Sequence, residues 1–385
     1  MGKFIKVIVT VFLVTSTHLS AETFLDKVVV TPLKKPTKIF DTFNNVQVIT
    51  SKDIKLQGYK SINEILSRSS SISIGSNGGH GQTKSIFLRG TESNHTKVLI
   101  NGVNLNPGTL GVPSIQHISV DMVESIEISK GSMSTLYGKD TIGGVINIIT
   151  KKNQGNQISI NRGTNNTNNF VYSGGFGYLN HNFSTNFSRL ESDSYKAKVT
   201  STKNHKYDTT NLDLNYIMNI GYNEISTNYY RSTGNTEYDS FGSNLNQNHR
   251  DSHIKFNINH IFSNSHLDLF YVKKTNEINQ AAPSATDYTH TKVNALGLEY
   301  MISINELDHI LFGIDYADEA MYELSYGTSF KHTNKIKQAY ASSTFSATDN
   351  LQTNFGIRTQ NHSTYNNFTS GNIGLNYYLN PKLVL

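Results

Sequence analysis

Phe170-Val171-Tyr172-Ser173-Gly174-Gly175-Phe176-Gly177-Tyr178 is the stretch on which the fold turns. One face carries Phe170, Tyr172, Gly174, Phe176 and Tyr178, and the other carries Val171, Ser173, Gly175 and Gly177. A period of two marks a strand whose two faces meet different surroundings. The pattern returns downstream. Leu212, Leu214, Tyr216 and Met218 alternate with Asp213 and Asn215, and Ile254, Phe256 and Ile258 alternate with Lys255 and Asn257. Ile373, Leu375 and Tyr377 alternate with Gly374 and Asn376.

A soluble sandwich also alternates, so the connections have to separate the two architectures. Short turns near 179–181, 221–223, 263–265, 305–306 and 347–350 alternate with long polar segments near 192–207, 232–250, 275–290, 319–332 and 360–369. Short turns on one side and long loops on the other belong to an outer-membrane β-barrel, whose strands present apolar groups to lipid and polar groups to a wet lumen. The chain has no Trp, so Tyr and Phe at strand ends would have to form the aromatic girdles.

Upstream of about residue 153 the texture is mixed. Ser61-Ile62-Asn63-Glu64 reads as a capping box opening a helix whose apolar face is Ile62, Ile65 and Leu66. Strands are expected at 71–74, 85–89, 96–100, 125–129 and 144–150. The expected fold class is a compact α+β domain, which the resemblance described below makes a plug, followed by an antiparallel transmembrane β-barrel. The first residues read as an export signal: Lys3 and Lys6, an apolar run from Val7 to Val14, then Ala21 after Leu19-Ser20. The domain expectation is a signal peptide at 1–21, an N-terminal segment at 22–35, a plug at 36–152 and a barrel at 153–385.

Composition removes several function classes. There is no Cys, hence no disulfide framework or thiol chemistry. The 34 Lys and Arg against 29 Asp and Glu are dispersed, without the aromatic-interleaved basic stripe of a nucleic-acid groove. No Gly-x-x-x-x-Gly-Lys phosphate loop, His-Glu-x-x-His pair or Gly-x-Ser-x-Gly elbow occurs, and an enzyme is not expected. His80 and His95 could meet at one end of the plug, but histidines in polar loops are usually solvated.

Four blocks together resemble TonB-dependent outer-membrane receptors. They are Asp26-Lys27-Val28-Val29-Val30-Thr31, Ile86-Phe87-Leu88-Arg89-Gly90, Val98-Leu99-Ile100-Asn101-Gly102-Val103, and Leu136-Tyr137-Gly138 continuing through Ile142-Gly143-Gly144-Val145-Ile146-Asn147-Ile148-Ile149-Thr150. The plug is most similar to that of cobalamin transporters, through Ser76 to Gln82, Ser85 to Thr91, Asn94-His95 and Asn104-Leu105-Asn106. Asn101 stands where the family usually has Asp, and Lys130 where Arg is usual.

The resemblance implies an outer-membrane receptor of a Gram-negative bacterium that takes up a large, scarce ligand, with cobalamin or another corrinoid expected first. A siderophore or heme receptor is the alternative within transport, and a non-transporting surface binder or inactive fragment the alternative outside it. The implied partners are the TonB energy-transducing protein, the ligand and outer-membrane lipid, with no nucleic acid. Asp26, Lys27, Val28, Val29, Val30 and Thr31 would be the TonB box, a short β-forming segment able to add to a partner's sheet edge. Asn77, Gln82, Thr91, Asn94, His95, Asn104 and Asn106 would contact ligand, and Arg89 and Lys130 would pair with the barrel wall. Gly78, Gly79 and Gly81 would shape an apical loop, while Gly138, Gly143 and Gly144 would permit turns and close packing. No cofactor is implied beyond a weak calcium site at Asp208, Asp239 and Asp251, which Lys196 would oppose.

Counting gives about 12 strands between 155 and 379, against about 22 in plugged transporters of this kind. At about 4.8 Å between strands and about 40° of tilt, 12 would close at roughly 24 Å. A plug of this length needs about 36 Å. The barrel expected from this chain is therefore incomplete, with further alternating strands or their decayed remnant expected to be encoded beyond Leu385.

Overall fold

The computed structural model describes residues 28–152, 155–196, 198–240, 243–281, 286–380 and 383–384. The expected signal peptide, together with Asp26 and Lys27, lies outside the described residues.

The plug is built from β1 (Val28–Val29), β2 (Thr37–Lys38), β3 (Asn45–Thr50), α1 (Ser51–Gln57), α2 (Ile62–Ser67), β4 (Ile72–Ser76) and β5 (Lys84–Leu88). It continues with β6 (Thr96–Ile100), β7 (Val103–Asn104), β8 (Val123–Lys130), α3 (Ser134–Tyr137) and β9 (Gly144–Thr150). A mixed sheet of order β3-β8-β9-β6-β7 forms its centre, with β6 and β9 parallel and the other pairs antiparallel. All five residues of β6 are buried, so it reads as an unbroken apolar run apart from Thr96 and Lys97. Ile62, Ile65 and Leu66 of α2 pack with Ile86, Ile100, Ile126, Ile128, Ile146 and Ile148 in one core.

Helix starts differ from expectation in one detail. Ser61 Oγ does accept from the Glu64 amide (3.2 Å), but the Glu64 carboxylate accepts from the Lys60 amide (2.9 Å), so the box is only half closed. The complete box is at α1. Thr50 Oγ1 accepts from the Asp53 amide (3.2 Å) while Asp53 Oδ2 accepts from the Thr50 amide (2.9 Å).

Beyond the plug runs one antiparallel sheet in sequence order. Its strands are β10 (Gln157–Arg162), β11 (Asn168–Tyr178), β12 (His181–Ser192), β13 (Tyr207–Ile220), β14 (Asn223–Ser240), β15 (Ser243–Ile261) and β16 (Ser265–Ala281). The rest are β17 (Thr286–Ser303), β18 (His309–Ser325), β19 (Thr328–Thr348), β20 (Leu351–His362), β21 (Asn366–Asn380) and the two-residue β22 (Leu383–Val384). Twelve long strands match the count read from periodicity. The sheet is open among the described residues, with β10 and β22 at its two edges.

The alternation sorts as a membrane wall requires. Phe170, Phe176, Tyr178, Leu214, Phe256, Ile258, Ile373, Leu375 and Tyr377 are exposed on the outward face. Val171, Ser173, Asn211, Asp213, Asn215 and Asn376 are buried on the inward face, against the plug. No helix of the described residues is long and apolar enough to cross a membrane.

The long loops need correction. Only 192–207 is largely irregular, between β12 and β13. The segments near 232–250, 275–290, 319–332 and 360–369 are mostly strand. β18 and β19 are even joined by a tight turn, with Tyr326 at φ 47° and Gly327 at φ 80°. Periodicity reports unlike surroundings on two faces, and above the bilayer both faces are wet. Backbone pairing continues there because the neighbouring strand holds the register, while the side-chain signal fades.

Candidate functional site at the apical loops and the plug–wall interface

Strand direction defines the two ends. The short turns, such as 179–180 and 221–222, lie at one end, and the 193–206 loop lies at the other. The loop from Asn77 to Gln82 sits at the long-loop end, because Gln82 Nε2 donates to the Glu237 carbonyl (3.0 Å) near the top of β14. Gly81 has φ +72°, and a Cβ there would lie 2.2 Å from Tyr207 Cδ2, so the residue expected to shape this loop also lets it reach the wall. A Cβ on Gly79 would stand 3.0 Å from the Tyr195 ring.

Lys84, which sequence reading passed over, organises that loop from below. It is 7% exposed, and its Nζ donates to the carbonyls of Gly78 (2.7 Å) and Gly79 (3.3 Å) and to Ser76 Oγ. Burial pushes its pKa down from the ordinary lysine value. The only sequence signal was a lysine at an inward position of a short strand.

The remaining expected ligand residues separate into two kinds. Asn77 is exposed, and Thr91, Asn94, His95 and Asn104 are partly exposed. Thr91 Oγ1 donates to the Leu88 carbonyl (2.8 Å), and the Asn94 Cβ stands 2.8 Å from where a Cβ on Gly111 would be, so the 91–95 turn abuts the 104–111 loop. Asn104 Oδ1 accepts from the Asn106 amide (3.0 Å). Asn106 is corrected to a structural role. It is 3% exposed, accepts from the Val98 amide (2.9 Å), and donates to the carbonyls of Thr96 (3.0 Å) and Gly111 (2.9 Å). With both amide hydrogens and its oxygen engaged inside the plug, this side chain holds the plug loop together.

A ring stack, also missed, runs inward from the apical loop. His80 stacks on Tyr207, His117 stacks on Tyr207, and His117 and His249 lie face to face with centroids 3.4 Å apart. His117 Nδ1 is 3.1 Å from the Tyr207 hydroxyl. Burial holds the His117 pKa well below its ordinary value, with His249 adding to the effect, so the plug ring is neutral. His95 stands elsewhere, its carbonyl accepting from the Gly143 amide (3.0 Å).

Arg89 and Lys130 do not meet the wall as expected. Lys130 is buried in the plug with its Nζ on Ser70 Oγ, and Arg89, at φ 54°, reaches toward Gly131. The contacts come from other cations. Lys34 pairs with Glu299 and also donates to the Tyr340 hydroxyl (2.8 Å), and Lys139 pairs with Glu319 (3.1 Å). From the wall, Lys274 Nζ donates to the Asn106 carbonyl (2.8 Å). Arg358 donates to the carbonyls of Thr135 (2.9 Å) and Leu136 (2.9 Å) at the end of α3. Such residues are invisible to motif reading because each looks like one more polar residue, Lys34 and Lys139 in plug loops and Lys274 and Arg358 on strands.

Val28 to Thr31, the described part of the expected TonB box, is folded onto the plug. β1 pairs with β2, Val29 is fully buried, and the Glu127 carboxylate accepts from the amides of Val30 (3.2 Å) and Thr31 (2.8 Å). The Tyr137 hydroxyl donates to the Thr31 carbonyl (2.9 Å).

The three aspartates suggested for calcium are not brought together. Asp239 accepts from Ser201 Oγ (3.1 Å) and lies 3.5 Å from Lys198 Nζ, Asp251 accepts from Asn276, and Asp208 stands on the outward face beside Arg189 and Glu191. Among the described residues no group of three His, Asp or Glu is arranged to hold a metal ion.

Residues 38–145 match the TonB-dependent Receptor Plug Domain family. The chain is 28% identical to the vitamin B12 transporter BtuB of Vibrio vulnificus over 92% of its own length, and spans 61% of that protein. Among solved structures it is similar to the siderophore receptor PirA of Acinetobacter baumannii (TM-score 0.70, 15% identity, 87% of this chain and 59% of that one). It is also similar to FpvA of Pseudomonas aeruginosa (TM-score 0.75, 12% identity, 94% of this chain and 58% of that one). At those identities the structures speak for the fold alone, a plug against a wall of antiparallel hairpins. With the plug match and the curated relative beside that fold, the chain is similar along most of its length to TonB-dependent receptors of the Gram-negative outer membrane.

Proposed function

We propose that this chain is the plug and leading wall of a receptor for TonB-driven uptake of cobalamin or another corrinoid. The observation that carries the reading is its likeness to a vitamin B12 transporter along 92% of the chain. The apical chemistry is compatible with it. Asn77, Gln82, Thr91, Asn94, His95 and Asn104 offer neutral amide, hydroxyl and imidazole groups, which suit an amide-bearing ligand, and Asn106 with Lys84 keeps their loops in place. Without a nucleotide site, work has to arrive by contact, and the segment Asp26 to Thr31 is the proposed handle for the energy-transducing partner.

Two outcomes test this. Titration calorimetry of the outer-membrane receptor with cobalamin, a ferric siderophore and heme should give heat with cobalamin, and changing Gln82 and Asn94 together to Ala should weaken that binding by about 2 kcal/mol. Binding of the siderophore or heme instead would transfer the chain to the alternative ligand class. Val29→Pro removes a backbone donor and fixes φ, so uptake should fall about tenfold or more while surface binding persists. Full uptake in that variant would remove the handle and favour a surface binder.

A further inference from the structure

Asp213 lies on the inward face of β13 at 0% exposure, and its carboxylate is wrapped by side-chain amides. Oδ2 accepts from Asn186 (3.0 Å) and Asn215 (2.8 Å), and Oδ1 from Asn228 (2.8 Å). Those three belong to the wall. Asn186 sits directly across from Asp213 on β12, and Asn215 and Asn228 face each other across β13 and β14. The fourth donor comes from the plug, where Asn101 Nδ2 reaches Oδ1 at 3.2 Å. A carboxylate offers about four acceptor sites. The wall supplies three donors, and the plug approaches the remaining side through Asn101 and the Thr150 hydroxyl.

Asn101 occupies the turn between β6 and β7 at φ 50°, followed by Gly102 at φ 79°. Its other bonds stay inside the plug, with Oδ1 accepting from the Thr150 amide (3.0 Å) and hydroxyl (3.1 Å). Asn186 adds a second grip by donating to the Lys151 carbonyl (2.7 Å), just past β9. One side of the wall thus holds the ends of β6 and β9, the parallel pair at the centre of the plug.

We propose that Asp213 and Asn101 form a matched latch between wall and plug, in which the plug residue must be an amide because the wall residue is an anion. An aspartate at position 101 would keep the turn, since Asp visits left-handed φ as Asn does, and could still accept from Thr150. It would lose the amide donor to Thr150 Oγ1 (2.9 Å) and place a second carboxylate against the fully buried Asp213, where like charges repel strongly. The plug residue therefore positions the plug, and any movement of the plug along the wall has to break this contact.

Hydrogen exchange and limited proteolysis of the full chain in outer membranes test the latch independently of ligand identity and of uptake. Asn101→Asp should raise exchange at the Asn101 and Thr150 amides, and plug cleavage, by about tenfold or more at neutral pH. Combining it with Asp213→Asn restores one anion and one amide and should bring both rates to within about threefold of the parent. Parental rates in Asn101→Asp would overturn the proposal. So would a double variant as labile as the single one, since a change that merely harmed the turn would not be rescued from the wall.

Discussion

Replacing Arg358 by Leu should weaken docking of the plug on the wall by about 3–5 kcal/mol, the cost of removing one partner from a buried, hydrogen-bonded charge network. Arg358 is 4% exposed. Its Nε and Nη2 take the carbonyls of Thr135 and Leu136, which a four-residue helix leaves without partners. Nη1 donates to Gln338 Oε1 (2.6 Å) and lies 3.6 Å from Asp315 Oδ2, and the guanidinium stacks on Tyr340 at 4.2 Å. A leucine would leave the two carbonyls and Asp315 buried without that cation. Lysine would keep the charge and lose the planar fork, so Arg358→Lys should fall between the two. The measurement is amide exchange at Tyr137 and Gly138, which close α3 by donating to Met133 and Ser134. Parental protection in Arg358→Leu would mean that α3 is held from the plug side alone.

Gly144→Ala should cost about 3 kcal/mol or more, and the plug rather than the wall should lose its structure. Gly144 has φ +148°, and a Cβ built there falls 2.2 Å from the Ser129 carbonyl oxygen and 2.7 Å from Leu88 Cδ2. The first obstacle is backbone in a ladder, because Lys130 and Gly144 are register partners across β8 and β9. Relief would need the central strands to part. Gly155→Ala is the matched control, with nothing within 4 Å of its added methyl. Urea unfolding followed by plug proteolysis should shift for Gly144→Ala and stay put for Gly155→Ala. Equal midpoints would show that the close approach is not needed.

What could be read in the residues and what could not divides along a physical line. The helix at Ile62, the strands at 96–100 and 144–150, and the outward faces of Leu214, Phe256 and Leu375 follow from local patterning. Hydrophobic burial acts on every residue of an element at once and so leaves a period. The strand extensions above the membrane left none, because water on both faces removes the contrast.

The site was legible as blocks and not as partners. The apical loop was placed by its glycines, and Gly81 does meet the wall. Asn106 was misplaced because an asparagine in a loop looks alike whether it faces a ligand or bonds three backbone groups of its own plug. Arg89 and Lys130 are expected at the wall by family position, whereas Lys34, Lys139, Lys274 and Arg358 make those contacts over sequence separations of 168 to 306 residues.

The sequence by itself determined a compact domain followed by hairpins and the outward face of strands such as those at Leu214, Phe256 and Leu375, since these depend on neighbours one to four positions away. Only the tertiary structure decided that Asp213 is caged by amides from three strands and one plug turn, that Lys84 staples the apical loop, and that Val28 to Thr31 lies folded on Glu127. Each is a bond between groups whose meeting depends on strand register and on the depth at which the plug sits. A single polar side chain carries no periodic signal of either.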